Sequence, residues 1–179
     1  MADDKLPRAV HDLPVIERLL KHLPAPLHRA VLRMAHPLRL WWWRRTAHAV
    51  RGCTIIAANA AGHILLVRHS YHLRGVWTFP GGGLGPGESP LDTAVRELAE
   101  ETTCLLSAPR HLGTITRDRG GWTNLIELVA GHTHDAPVAD GREIVEARFF
   151  DPQELPVSTA RHVAVMIAQW QENQNGSSA

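Results

Sequence analysis

Cysteine is nearly missing from this 179-residue chain: Cys53 and Cys104 are its only two. They form no CxxC pair and no ligand cluster, and two lone thiols suit a reducing cytosol. Tyrosine occurs once, at Tyr71. No apolar run approaches the ~20 residues that span a bilayer. The opening Met1-Ala-Asp-Asp-Lys5 is followed by no apolar stretch of the signal-peptide kind, so a cytoplasmic protein is expected. No internal repeat is visible. The apolar share of 44% and charged share of 21% are ordinary for a globular protein. The length suffices for one domain with a full core plus an extension.

A net charge of +1 conceals an asymmetry. Residues 1–51 carry ten Lys/Arg against four Asp/Glu, and residues 52–179 carry nine against fourteen. A basic arm therefore precedes an acidic domain. Within the arm, Val15, Ile16, Leu19, Leu20 and Leu23 form one helical stripe. Leu27, Ala30, Val31, Met34 and Leu38 form another, with Pro14, Pro24, Pro26 and Pro37 setting the breaks. Leu40-Trp41-Trp42-Trp43-Arg44-Arg45 closes it. Packing against the domain or against a second copy as a homodimer is one reading of this arm. Contact with an anionic membrane surface through Trp and Arg is a second. A grip on nucleic acid through Arg and stacked Trp is a third, and no nucleic-acid partner is expected.

Residues 82–104 are the centre of the sequence. Gly82, Gly83, Gly85, Pro86 and Gly87 break both helix and strand. Ser89-Pro90 then starts a helix, with Ser as N-cap, Pro at the first position and Asp92 in the place of a capping-box acid. On a wheel of about 100° per residue with Glu97 at zero, Glu101 falls at roughly 40° and Glu100 at roughly 300°. Leu91, Val95, Leu98 and Thr102 fall on a separate face, suited to a sheet. Arg96 is the i,i+4 partner of Glu100. Like charges at i,i+4, as in Glu97 and Glu101, cost a few tenths of a kcal/mol in an isolated helix. A hard divalent cation removes that penalty, and Mg²⁺ favours carboxylates, water and substrate phosphates. An acidic run alone is more simply a solvated face. The glycine loop at fixed spacing shifts the balance to a metal site.

Around this stretch the chain alternates strand and turn signals. Thr54–Ala58 and His63–Arg68 read as strands about a turn at Asn59–Gly62. Arg110–Arg117 and Thr123–Val129 read as a hairpin, residues 131–142 as a polar loop, and Val145–Phe150 as a short strand. A final helix runs from a Ser158 cap to about Gln171, with Val163, Ile167 and Trp170 facing in. The expected class is α/β, a mixed sheet between helices. Residues 1–51 form the helical extension, 52–173 the domain and 174–179 a flexible tail.

The spacing of Gly82, Glu88, Arg96, Glu97, Leu98, Glu100 and Glu101 resembles the box of the Nudix hydrolase family, and Trp77-Thr-Phe-Pro-Gly-Gly82 is similar to its lead-in. Thr103 departs, standing where the box has its last Gly. If the chain takes positive φ there, Thr costs about 1–2 kcal/mol. The resemblance implies an α/β/α sandwich and Mg²⁺- or Mn²⁺-dependent hydrolysis of a phosphoanhydride in a nucleoside diphosphate linked to another group.

On that reading Glu97, Glu100 and Glu101 hold the metal, and the resemblance adds a carbonyl near Gly82. Arg96 orients Glu100 or a neighbouring acid, and Glu88 positions Arg96 or holds a metal-bound water. The base is Glu97 or a downstream Glu. Glu127, Glu143 and Glu146 are candidates for a fourth carboxylate. Arg68 and Arg74 are candidates for the diphosphate, and Tyr71 and Trp122 for stacking a base. Trp77 reads as core. His132-Thr-His134 puts two rings on one side of a strand, yet in a polar loop it reads as exposed. The marks similar subfamilies carry for ADP-ribose, diadenosine polyphosphates or NADH are missing; Asp118-Arg119 stands where the ADP-ribose type has Pro. The expectation by elimination is a nucleoside or deoxynucleoside triphosphate. ADP-ribose, a nucleotide sugar or a dinucleotide is the alternative substrate, and a non-catalytic nucleotide- or partner-binding domain the alternative class.

Overall fold

A computed structural model describes residues 49–70, 75–85, 87–118 and 122–176. The arm with Trp41–Trp43, and the substrate candidates Tyr71 and Arg74, lie outside the described residues. The elements in chain order are β1 (Ala49–Ala58), β2 (Ile64–His69), β3 (Trp77–Thr78), α1 (Pro90–Thr102), β4 (Ser107–Asp118), β5 (Thr123–His132), β6 (Ile144–Phe150) and α2 (Arg161–Gly176).

β1 and β5 run parallel along their full length, from Ala49↔Thr123 to Ala58↔His132. β4 pairs antiparallel with β5, as the expected hairpin, and β2 pairs antiparallel with both β6 and β3. β1 and β2 meet only at Ala58↔Ile64. The rest of that edge of β1 is taken by the glycine-rich segment. Cys53 N–H donates to Gly82 O at 2.8 Å, Ile55 N–H to Pro80 O at 2.9 Å and Leu84 N–H to Arg51 O at 3.2 Å. The result is a six-stranded mixed sheet.

Strand alternation divides the core into two layers. Ile56, Ala58, Ile64, Leu66, Leu128 and Ala130 face α2 and pack on Val163, Met166, Ile167 and Trp170. Cys53, Ile55, Ala57, Leu65 and Val129 face α1 and pack on Ala94 and Leu98. Helices on both faces make the α/β/α sandwich. No described helix is long and apolar enough to cross a membrane.

Three boundaries differ from expectation. β1 begins at Ala49, so the division drawn between residues 51 and 52 falls inside a strand. Ala49 and Arg51 at its start are exposed, and the pairing with β5 extends the strand to them. α2 starts at Arg161 rather than behind Ser158, and continues to Gly176, past the expected end and into the expected tail. On α1, Val95 is 37% exposed whereas Glu101 is buried. The buried arc is turned toward the acids because Ala94 and Leu98, not Val95, meet the sheet.

Candidate active site

α1 forms as its sequence dictates. Ser89 Oγ accepts Asp92 N–H at 3.1 Å and donates to Asp92 Oδ2 at 2.7 Å, with Pro90 in the first turn. The helix leaves through Thr103 in the left-handed region, φ 60° and ψ 4°, its N–H returning to Ala99 O at 3.0 Å. Thr103 thus occupies the very conformation glycine favours.

The glycines ahead of α1 allow close approach. A Cβ on Gly82 would lie 2.3 Å from Glu97 Oε1, and one on Gly81 would lie 2.1 Å from Cys53 O. Glu97 is therefore laid directly on the loop backbone. Glu101 is 5% exposed, and its Oε2 accepts Gly81 N–H at 3.1 Å. Its pKa is driven well above the usual carboxylate range by burial first, then by Glu97, with Glu143 and Asp140 adding and the Gly81 N–H opposing.

Arg96 is the cation at the centre. Its Nε and Nη2 donate to the two oxygens of Glu88 at 2.8 and 2.9 Å, and its Nη1 donates to Glu97 Oε1 at 2.8 Å. Glu100 Oε2 lies 3.7 Å from the same Nη1. Glu88 also accepts Gly85 N–H at 2.9 Å, and its pKa is lowered to about 2, chiefly by Arg96. Arg96 thus ties Glu88 and Glu97 together, with Glu100 at longer range. Beneath them the Cys53 thiol is pushed up to about 12 by burial, then by Glu97, Glu127 and Glu88, so it stays protonated. Cys104 is raised by burial as well.

Among the described residues no three acid, imidazole or thiol side chains converge on a ready metal position. The donor chemistry nonetheless suits a hard divalent cation: three carboxylates, Glu88, Glu97 and Glu100, share one guanidinium, and a fourth, Glu101, is buried on the same helix. Gly82 O already accepts Cys53 N–H, which leaves its second lone pair for a ligand role.

The other candidates are dispersed. Glu127, proposed as a fourth carboxylate, has both oxygens bonded to neighbouring side chains. Its Oε1 accepts Arg51 Nη2 at 2.7 Å; its Oε2 accepts Thr114 Oγ1 at 2.7 Å and bonds His111 Nε2 at 2.9 Å. Glu146 is tied to Arg68 Nη1 at 2.8 Å and Arg148 Nη2 at 2.6 Å. Glu143 is the one of the three whose charge acts on Glu101. Arg68 lies with its guanidinium 5.5 Å from the Trp77 ring centre, on the α2 side of the sheet. Trp122 is 9% exposed, so its ring presents no open face. Trp77 is core, edge-on to Phe150 at 4.8 Å. His132 and His134 are both exposed. The Arg51–His111–Thr114 cage around Glu127 was not anticipated. The local signal is the alternation of Arg51 with Cys53 and Ile55, which places it on the α1 face.

The NUDIX domain matches residues 48–170, about two-thirds of the chain and the whole of the site. The chain belongs to the NUDIX family. A putative 8-oxo-dGTP diphosphatase of Bacillus subtilis (strain 168) is 32% identical over 108 residues, 60% of this chain and 70% of that one. The NAD-capped RNA hydrolase NudC of Edwardsiella ictaluri is 33% identical over 141 residues, 72% of this chain but only 54% of its own length. The chain thus spans about half of that relative. Among solved structures, the MutT NUDIX hydrolase from Burkholderia pseudomallei superposes with a TM-score of 0.60 at 20% identity, covering 68% of this chain and 97% of that one. The NUDIX domain of Shewanella oneidensis NrtR, complexed with ADP ribose, gives 0.60 at 22% identity, covering 70% and 88%. At such identities these likenesses speak for the fold. With relatives named as diphosphatases and pyrophosphohydrolases, this chain is a Nudix hydrolase by family.

Proposed function

We propose that the chain hydrolyses a phosphoanhydride bond of a nucleoside or deoxynucleoside triphosphate with Mg²⁺, or Mn²⁺ in its place. The observation that carries this is Glu101, buried on the helix of Glu97 with the Gly81 N–H on its carboxylate, in a box whose spacing is complete. The carboxylates of Glu97, Glu100 and Glu101 and the Gly82 carbonyl would hold the cation. Bound there, it supplies neutralisation of the phosphates and activation of the attacking water. Arg96 and Glu88 hold Glu97 against the glycine loop, which fixes the direction of its carboxylate. Glu97 or Glu143 takes the proton of the water. Residues 52–173, with the Ala49–Arg51 start of β1, serve as the hydrolase domain. The setting is cytoplasmic, which suits two buried free thiols, Cys53 and Cys104. A homodimer or membrane contact through residues 1–51 is the proposed role of the arm.

A triphosphate at the 5′ end of RNA is a second reading. It is favoured by relatives named RNA pyrophosphohydrolase, one 43% identical over 58 residues, and by the basic arm. A panel of nucleoside triphosphates, ADP-ribose, dinucleotides and 5′-triphosphorylated RNA with Mg²⁺ tests both. Glu100→Gln lowers kcat on the preferred substrate at least about 100-fold. Unchanged turnover in that variant refutes the site.

A further inference from the structure

On the α1 face of the sheet the strands align in rows. Arg51, Leu125 and Thr116 share one row, and Cys53, Glu127 and Thr114 share the next. Cys53 marks the border of the helix, its Sγ lying 3.6 Å from Pro90 O at the start of α1. From there on α1 covers the face, packing on Cys53, Ile55, Ala57 and Val129. The Arg51 row lies beyond it, with Arg51 and Thr116 exposed and Leu125 half-buried.

The glycine loop borders the same row. Arg51 O accepts Leu84 N–H at 3.2 Å. At the next residue, Gly52, a Cβ would lie 3.3 Å from Gly82 O. Gly82 is the glycine against which Glu97 is laid. Leu84 and Gly82 are two residues apart, about 7 Å in extended chain. Arg51 is thus bonded to the backbone that carries Glu97, close to where it does so.

The side chain of Glu127 is 4% exposed and that of Arg51 54%. Thr114 Oγ1 and His111 Nε2 hold the carboxylate along with Arg51 Nη2. A pair serving stability alone gains little by taking its acid out of water while its cation stays in it. What the arrangement secures is the direction of the guanidinium. A planar fork held at one nitrogen loses little freedom on meeting an anion. Among the described residues neither Nε nor Nη1 of Arg51 has a partner. Arg96, by contrast, is committed to Glu88 and Glu97, and Arg68 to Glu146.

We propose that Arg51 is a specificity-determining residue: its guanidinium, anchored by Glu127 beside the glycine loop, binds a phosphate of the substrate from the open part of the sheet. The inference rests on the phosphoanhydride-hydrolase reading above. A purely structural Arg51 would stabilise the β1–β5 pair and leave KM unchanged.

The test is steady-state kinetics of the full chain with Mg²⁺ on the preferred substrate of the panel, with inorganic pyrophosphate as competing anion. Wild type is compared with Arg51→Ala, Arg51→Lys and Arg51→Gln. Arg51→Ala raises KM about 10-fold or more, the scale of a lost hydrogen bond to a charged group, with kcat within about threefold. The inhibition constant of pyrophosphate rises by a similar factor. Arg51→Lys keeps the charge without the fork and recovers part of the KM. Arg51→Gln keeps a donor for Glu127, loses the charge, and carries the same test should Arg51→Ala fail to fold. Uptake of Mn²⁺ alone, followed by calorimetry, stays within about twofold of wild type, since no acid of α1 is altered. A folded Arg51→Ala or Arg51→Gln with KM within about twofold of wild type overturns the inference. So does a pyrophosphate constant that does not move, a loss confined to kcat, or altered Mn²⁺ uptake. Wild type inactive on every substrate of the panel overturns the hydrolase reading and this inference with it. Active wild type with unaltered Arg51 variants overturns the inference alone.

Discussion

Glu101 and Glu127 are buried to nearly the same degree, at 5% and 3% exposure, and their charges are treated oppositely. Burial acts on both to raise the pKa. Around Glu127 the bonds from Arg51, Thr114 and His111 outweigh it and bring the pKa down to about 2. Around Glu101 one Gly81 N–H opposes burial, and Glu97, Glu143 and Asp140 add to it. Exposed surface alone thus says little about the role of an acid; its depth in the protein and the sign of its partners decide. A satisfied buried carboxylate joins three strands. An unsatisfied one, beside further acids, is poised for a cation from solution.

The same substitution at both positions is the sharpest way to break this contrast. Glu101→Gln lowers kcat at least about 100-fold while the melting temperature is unchanged or higher. Glu127→Gln leaves kcat within about threefold. If Glu127→Gln proved the more damaging to turnover at equal stability, the assignment would reverse.

The next effects are on stability. Glu127→Ala strands Arg51, His111 and Thr114 and costs about 1–3 kcal/mol in denaturant unfolding. Acid titration reads the same cage. With a folded pKa near 2 against 4.5 for the free group, the stabilisation from Glu127 is complete above about pH 5 and disappears as pH falls toward 2. At most it amounts to about 3 kcal/mol. Unfolding curves of wild type and Glu127→Ala, measured from pH 7 to pH 2, should therefore converge at the acid end. A gap that widened there would contradict the sign of the shift.

The smallest effect lies at the exit of α1. Thr103→Gly relieves a left-handed threonine and stabilises by about 1 kcal/mol, read as a higher denaturant midpoint at constant slope. A loss of stability would mean that the Thr103 side chain contributes contacts worth more than the strain.

Much of this was readable along the chain because it depends on near neighbours. Ser89 and Pro90 cap α1 by local geometry, and a helical repeat brings Glu97, Glu100, Glu101 and Arg96 together without any other element. The Thr103 strain follows from its place one residue beyond the helix. Strand alternation likewise divides Ile55 and Ala57 from Ile56 and Ala58. The start of β1 was not readable, because Ala49–Arg51 have no apolar pattern and are strand only through Thr123–Leu125. Nor was the burial of Glu101 in place of Val95, since a helical wheel gives relative angles but not the direction in which the sheet lies.

Residues 82–104 alone establish a glycine loop, a capped helix and a set of acids in need of a counter-charge, since all three arise within a few turns of one segment. Which acid has its charge supported and which has it opposed depends on strands far apart in sequence. Arg51 meets Glu127 across 76 positions, and Asp140 meets Glu101 across a loop. Such contacts follow from sheet pairing and loop docking, and no periodicity along the chain encodes them.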